Sequence, residues 1–214
     1  MNSKSKNIVL YTTATLVAVG LLYGIFRLTT KNFIAKSPFR RKSIRLAKQE
    51  LELWNGRKET SSETYPYLQK YWSELGWKDG QWSTGTAWSG AFISYIFKKA
   101  KATKNDFSFS PKHSVYIRKA IENKKNKKAG FKGYRLDEKK VELGDLVCYA
   151  RQDGVGYDTT SDYLSHCDIV VAIEGDNAIG IGGNVSNSVT ESKIPLQNGY
   201  VTSGKRRFVV IKTK

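Results

Sequence analysis

Residues 165–184, SHCDIVVAIEGDNAIGIGGN, contain two apolar runs on either side of Gly175-Asp176-Asn177. β-branched residues dominate the first run, and glycines alternate with isoleucines in the second. Such runs joined by a glycine-containing turn predict two strands, 165–175 and 177–183, that pair as an antiparallel hairpin. The fold therefore contains an antiparallel sheet near the C-terminus.

The remaining elements follow from hydrophobic periodicity. Apolar residues at helical spacing predict four helices before the hairpin, and short apolar runs predict two more strands. The predicted helices are 41–55, 65–76, 88–100 and 112–123, and the additional strands are 145–151 and 207–213. Helices followed by an antiparallel sheet indicate an α+β fold with the helices packed on the sheet.

The formal net charge of +17 over 214 residues is concentrated in two segments. Residues 1–48 carry ten basic side chains and no acidic one, and residues 98–140 carry fifteen basic and four acidic side chains. The rest of the chain is slightly acidic. Because no RNA- or DNA-binding motif accompanies the basic segments, a nucleic-acid partner is not expected. A membrane surface or an anionic cell-wall polymer is the expected partner.

Residues 7–26, NIVLYTTATLVAVGLLYGIF, contain no charged side chain. A twenty-residue helix spans about 30 Å, the thickness of a bilayer's hydrocarbon core. A cleaved signal peptide is the alternative, but no small-x-small cleavage site follows the run. The sequence predicts a single-pass anchor with its basic flank over 1–39 and one globular domain over 40–214.

The charges that flank this span do not fix its orientation. More basic residues follow the span than precede it, which favours a cytoplasmic domain, although long domains override this bias. We expect an inner-membrane protein whose domain lies outside the cytoplasm.

Cys148 and Cys167 fall within predicted strands, where a buried free thiol is the default, and they pair only if the domain is exported. His113 and His166 lie too far apart in sequence to suggest a metal site, so neither a metal nor another cofactor is expected. His113 is expected to face solvent or to begin a helix, with a place in a cleft as the alternative.

Three residues are candidates for catalysis. Ser89 stands at the predicted start of the third helix, where unpaired amides can stabilise an oxyanion, although an ordinary helix cap is the simpler interpretation. His166 opens a buried strand that would hold its ring rigidly, although histidines at strand ends are often structural. Asn184 ends the next strand and could orient the imidazole. Arg151 and Asp168 are further polar candidates for the pocket.

Four segments in this order resemble the NlpC/P60 and CHAP superfamily of papain-like domains: TAWSGAFISYIF, GDLVCYAR, SHCDIVVAIEG and GIGGNVSNSV. The resemblance covers about residues 40–213. It implies a papain-like fold that cleaves peptides or amides of peptidoglycan, with Ser89 as nucleophile, His166 as general base and Asn184 as orienting group.

The chain departs from that superfamily at the nucleophile, where Ser89 replaces the usual cysteine. A serine hydroxyl must lose its proton during attack, whereas a thiol beside a histidine ionises readily. Three functions therefore stay open: a Ser-His-Asn hydrolase of the cell wall, an inactive module of the same fold that binds wall fragments or a protein partner, and a phage-type lysis protein.

Overall fold

The structure, a computed structural model, describes residues 35–214. The predicted membrane span lies outside the described residues. Within residues 35–214, no helix is both long enough and apolar enough to cross a bilayer.

Four α-helices precede the sheet in the described part of the chain, as the sequence predicts. They are α1 (Pro38–Trp54), α2 (Tyr65–Ser73), α3 (Ser89–Lys99) and α4 (His113–Lys125). The first begins three residues earlier than predicted, because Ser37 caps it with its hydroxyl and Pro38 occupies its first turn.

Seven antiparallel strands form one sheet in the order β1-β7-β2-β3-β4-β5-β6. Their bounds are β1 (Lys132–Tyr134), β2 (Leu146–Ala150), β3 (Ser165–Glu174), β4 (Asn177–Val185), β5 (Ser188–Gln197), β6 (Tyr200–Val201) and β7 (Arg207–Lys212). The α+β prediction is confirmed, and β3 and β4 form the predicted hairpin.

The sequence predictions omitted β5, which is ten residues long. Exposed Glu191 and Lys193 alternate with the more buried positions beside them, but Pro195 argues against a strand. That proline is tolerated because β6 pairs only with Leu196 and Gln197, so most of β5 is an edge strand.

Helix α3 lies at the centre of the domain that residues 35–214 form. All residues from Ser89 to Phe97 are buried, because α1 and α2 pack on the helix from one side and β3 and β4 from the other. Its periodicity predicts one core-facing stripe, whereas the structure buries every face. A helix enclosed in this way holds its first residue in a fixed position.

The motif Gly144-Asp145 joins the sheet to α1. Asp145 is fully buried and forms an ion pair with Arg40, whose Nη2 lies 2.9 Å from Oδ1 of Asp145. Arg40 also donates to the carbonyl of Thr213. Gly144 has φ +87°, and a Cβ there would lie 2.8 Å from Cγ of Arg40. This motif therefore has a structural role in connecting the two ends of the domain.

Cys148 and Cys167 form a disulfide between β2 and β3, where they are directly opposite in the register. The expectation of two free buried thiols is therefore wrong. Sequence alone cannot decide this point, because pairing depends on the strand register that brings the two Cα atoms to 4.1 Å.

Candidate active site

Ser89 is the first residue of α3, and its side chain does not cap the helix. The first helical backbone bond runs from the amide of Phe92 to the carbonyl of Trp88. The amides of residues 89–91 therefore have no partner within the helix, and they carry the partial positive charge of a helix N-terminus. The interpretation of Ser89 as a helix cap is wrong, and its hydroxyl is free for another contact.

That contact is His113, which begins α4. Nε2 of His113 lies 2.7 Å from Oγ of Ser89, and both residues are only 4% exposed. The expected helix-start position of His113 is confirmed, but the expectation that it faces solvent is wrong. Gly90 makes the approach possible, because a Cβ there would lie 2.0 Å from the carbonyl oxygen of Pro111.

The other ring nitrogen of His113, Nδ1, is hydrogen-bonded to the hydroxyl of Tyr116. Burial raises the pKa of Tyr116 well above 10, so the phenol keeps its proton and can either donate it to Nδ1 or accept a hydrogen bond from Nδ1–H. Burial, together with the charges of His166 and Arg151, holds the pKa of His113 well below 6.5. A neutral imidazole that accepts at Nδ1 carries its proton on Nε2. When Tyr116 donates to Nδ1, His113 donates to Ser89. In the other tautomer, Nε2 accepts the hydroxyl proton of Ser89.

A second polar chain runs from His166 on β3. Nε2 of His166 lies 2.9 Å from Oδ1 of Asp168, and the hydroxyl of Ser192 donates to Oδ2 at 2.8 Å. Burial by itself raises the pKa of Asp168. The charge and hydrogen bond of His166, the Ser192 bond and the charge of Arg207 outweigh that effect and keep the pKa below 3.8.

Ionised Asp168 can only accept hydrogen bonds, so His166 donates to it from Nε2. In the tautomer that donates from Nε2, the lone pair of the His166 ring is on Nδ1, where it can take a proton. The rings of His113 and His166 are neighbours, with centroids 5.2 Å apart. The ring of Tyr149 packs on that of His166, also with a centroid separation of 5.2 Å. The two polar chains thus meet at a pair of neighbouring imidazoles, of which His113 contacts Ser89.

Two glycines of β4 allow the helix and the sheet to approach each other. A Cβ at Gly182 would lie 2.1 Å from Oδ1 of Asp168 and 2.6 Å from Nε2 of His166. A Cβ at Gly183 would lie 2.6 Å from the side chain of Phe92 on α3. Any larger residue at either position would displace the groups that form the site.

Asn184 does not bond to His166 within residues 35–214. It has φ +57° and lies where β4 departs from regular pairing, just before the turn that Ser186 and Asn187 make in the left-handed conformation. Asp168 occupies the orienting position that the sequence interpretation gave to Asn184. A strand places residues two apart on one face, and this was the available signal for Asp168.

His113 carried no comparable signal in the sequence. It approaches Ser89 only because α4 crosses the start of α3, a contact between residues 24 positions apart. Arg151 and Arg207 contribute through their charges, acting on His113 and Asp168 respectively. No cluster of three or more potential metal ligands occurs among residues 35–214.

The family model described as "Uncharacterized protein conserved in bacteria (DUF2272)" matches residues 45–212, and the chain belongs to that family. The match covers all four helices in whole or in part and every strand of the sheet. Comparison with curated proteins and with solved structures gave no match.

Proposed function

For this member of the DUF2272 family, we propose a serine hydrolase of papain-like architecture, anchored in the inner membrane, that cleaves an amide or peptide bond in the cell wall. The observation that carries the proposal is the hydrogen bond between Ser89 and His113 at the start of a buried helix, with the His166–Asp168 pair adjacent.

We assign the base to His166 in the tautomer of His113 whose Nδ1 accepts from Tyr116. In that tautomer His113 donates to the oxygen of Ser89 and cannot also accept the hydroxyl proton. Nδ1 of His166 carries the lone pair, and Asp168 holds the ring and stabilises the imidazolium that proton transfer creates. His113 is then a positioning residue that orients the oxygen of Ser89 for attack.

The reaction that follows is an acyl transfer. Oγ of Ser89 bonds to the carbonyl carbon as its proton passes to Nδ1 of His166, and the carbonyl oxygen becomes an oxyanion near the amides of residues 89–91. The C–N bond then breaks, and the leaving amine takes the proton from His166. Water, deprotonated by the same imidazole, hydrolyses the acyl-serine and restores the hydroxyl.

The disulfide supports a location outside the cytoplasm, because such bonds form and persist mainly in oxidising compartments. The cell wall is in that environment, and its peptides contain amide bonds. The low exposure of Ser89 favours the second candidate, an inactive module of the same fold, because a nucleophile must be reachable by its substrate.

The full-length protein in detergent, incubated with purified peptidoglycan, distinguishes these two candidates. We expect new peptide or amine products from the wild type and a loss of at least about 10³-fold in Ser89→Ala and His166→Gln. We expect a smaller loss, about 10-fold, in His113→Gln, since positioning contributes less than proton transfer. Product analysis by mass spectrometry measures each rate.

Ser43→Ala is the matched control, because Ser43 is also a buried helical serine but lies on α1 and bonds only to the carbonyl of Arg40. A fluorophosphonate probe, which reacts with activated serines whatever their natural substrate, should label the wild type and not Ser89→Ala. No labelling and equal product in all variants would identify the inactive module. A severe loss in His113→Gln with a mild one in His166→Gln would reverse the roles of the two histidines.

A further inference from the structure

A cleft of about 910 Å³ lies along the outer face of α4, between that helix, the segment that follows β1 and the loop over 157–160. Its lining contains two acidic residues, Glu122 and Asp158, and five basic ones: Arg118, Lys119, Lys124, Lys125 and Arg135. The cleft therefore has a positive balance, on a domain that is slightly acidic outside its basic segments.

The two acidic residues of the lining are both paired with basic side chains. Lys119 and Lys128 both bind Glu122, and their hydrogen bonds lower its pKa to about 2. Both oxygens of Asp158 accept from Arg135. Lys125 has no acidic partner among residues 35–214. Arg118 and Lys124 pair with Asp162 and Glu138, which are not part of the lining. Within the described part of the chain, Lys125 is thus the lining cation that is free for a ligand.

Part of the lining is held rigidly before any ligand binds. The guanidinium of Arg118 donates to the carbonyl of Thr160 at 2.7 Å and to Asp162 at 2.7 Å. Arg135 lies 4.3 Å from the ring centroid of Tyr157, whose hydroxyl donates to the carbonyl of Gly133. A wall fixed in this way keeps the shape of the cleft, so that binding costs little further side-chain entropy there.

The cleft and the candidate active site share two structural elements. Helix α4 begins at His113, and Arg118 follows about 7.5 Å farther along the helix axis. Asp162 accepts from Ser114 of α4 and lies in the loop that leads directly into β3, where His166 resides. A polymer in the cleft would therefore run along the helix that carries His113.

From this arrangement we infer that the cleft binds a carboxylate- or phosphate-bearing polymer of the cell envelope, whose neighbouring amide bond is then presented to Ser89. The presentation step rests on the proposed function, whereas polymer binding does not. The disulfide argues against a nucleic acid, since it indicates a compartment where nucleic acids are scarce. Only one aromatic side chain, Tyr157, lines the cleft among the described residues, and Arg135 already covers it.

Binding is measured with the full-length Ser89→Ala protein in detergent, which removes turnover from the experiment. The probes are poly-L-glutamate, polyphosphate and a single-stranded oligonucleotide, titrated by fluorescence anisotropy at several salt concentrations. The test variant is Lys119→Gln/Lys125→Gln. The control is Lys48→Gln/Lys104→Gln, which removes two exposed lysines away from the cleft.

We expect the cleft variant to bind poly-L-glutamate or polyphosphate about fivefold to tenfold more weakly, with a shallower salt dependence, and the control to change by less than about twofold. The preferred polymer identifies the anionic group. Equal weakening in both variants would overturn the inference, as would tightest binding of the oligonucleotide through the cleft. If the cleft variant loses binding while no hydrolysis is ever seen, the inference stands and the proposed hydrolase fails. Thermal melting confirms that both variants fold.

Discussion

At the scale of single residues, the protons in the site are placed by burial and by a few neighbouring groups. The buried phenol of Tyr116 keeps its proton, and Asp168 stays ionised and accepts from His166. In the tautomer of His113 whose Nδ1 accepts from Tyr116, Ser89 receives a hydrogen bond from His113 and its own proton stays available. Residue identities alone do not give this order, because either histidine could serve as a base.

His113 should make the stability of the domain depend on pH. Its pKa lies well below 6.5 in the folded state, so below that pH the unfolded chain binds a proton that the folded chain does not. The free energy of unfolding should therefore fall as the pH drops from 6.5, by up to about 1.4 kcal/mol per pH unit, until the folded-state pKa is reached. Urea denaturation at pH 7.5, 6.5 and 5.5 measures this slope.

The comparison variant is His113→Gln, which cannot titrate and should show a smaller slope over the same interval. Asp168 does not interfere over this interval. Because its pKa is lowered in the folded state, the stability that its ionisation contributes is lost only as the pH falls below about 3.8. An unchanged slope in His113→Gln would show that the buried imidazole is not the source.

At the scale of elements, the site depends on how closely β4 approaches β3 and α3. The hairpin of residues 165–184 was predictable because strand periodicity and a glycine-containing turn are local signals. The need for Gly182 and Gly183 is not local, because it arises from side chains on other elements. The glycines are visible in the sequence, but the groups that come close to them are not.

Gly182→Ala should separate activity from folding. The added Cβ would overlap the His166–Asp168 pair, so those side chains must shift, at a cost of about 1–3 kcal/mol in stability. We expect hydrolysis or fluorophosphonate labelling to fall by about 10²-fold while the protein still melts cooperatively. Gly156→Ala is the control, because a Cβ there meets no atom within 4 Å and the backbone is not left-handed. Full labelling of Gly182→Ala would contradict the assigned geometry.

At the scale of the whole molecule, the disulfide and the Arg40–Asp145 pair connect distant parts of the chain. The disulfide fixes β2 to β3 one residue away from both His166 and Asp168. The ion pair joins α1 to the start of β2. The sheet that carries His166 is thus held by long-range contacts, and its predicted strands give no indication of them.

Removing the disulfide should lower the free energy of unfolding by about 3 kcal/mol, because it closes a loop of 19 residues in the unfolded chain. The comparison is between the wild type and Cys148→Ala/Cys167→Ala, each refolded with and without reductant. Reductant should lower the melting temperature of the wild type alone. If the wild type does not respond, or if the double variant responds equally, the disulfide does not contribute to stability.

The sequence by itself determined the α+β class, the four helices and the β3–β4 hairpin, because all of these arise from periodicity and residue type over short distances. Only the tertiary structure decided that His113 contacts Ser89, that Asp168 rather than Asn184 holds His166, and that the two cysteines pair. Helix crossing and strand register set these contacts. Both depend on packing between segments far apart in the chain, which no local pattern encodes.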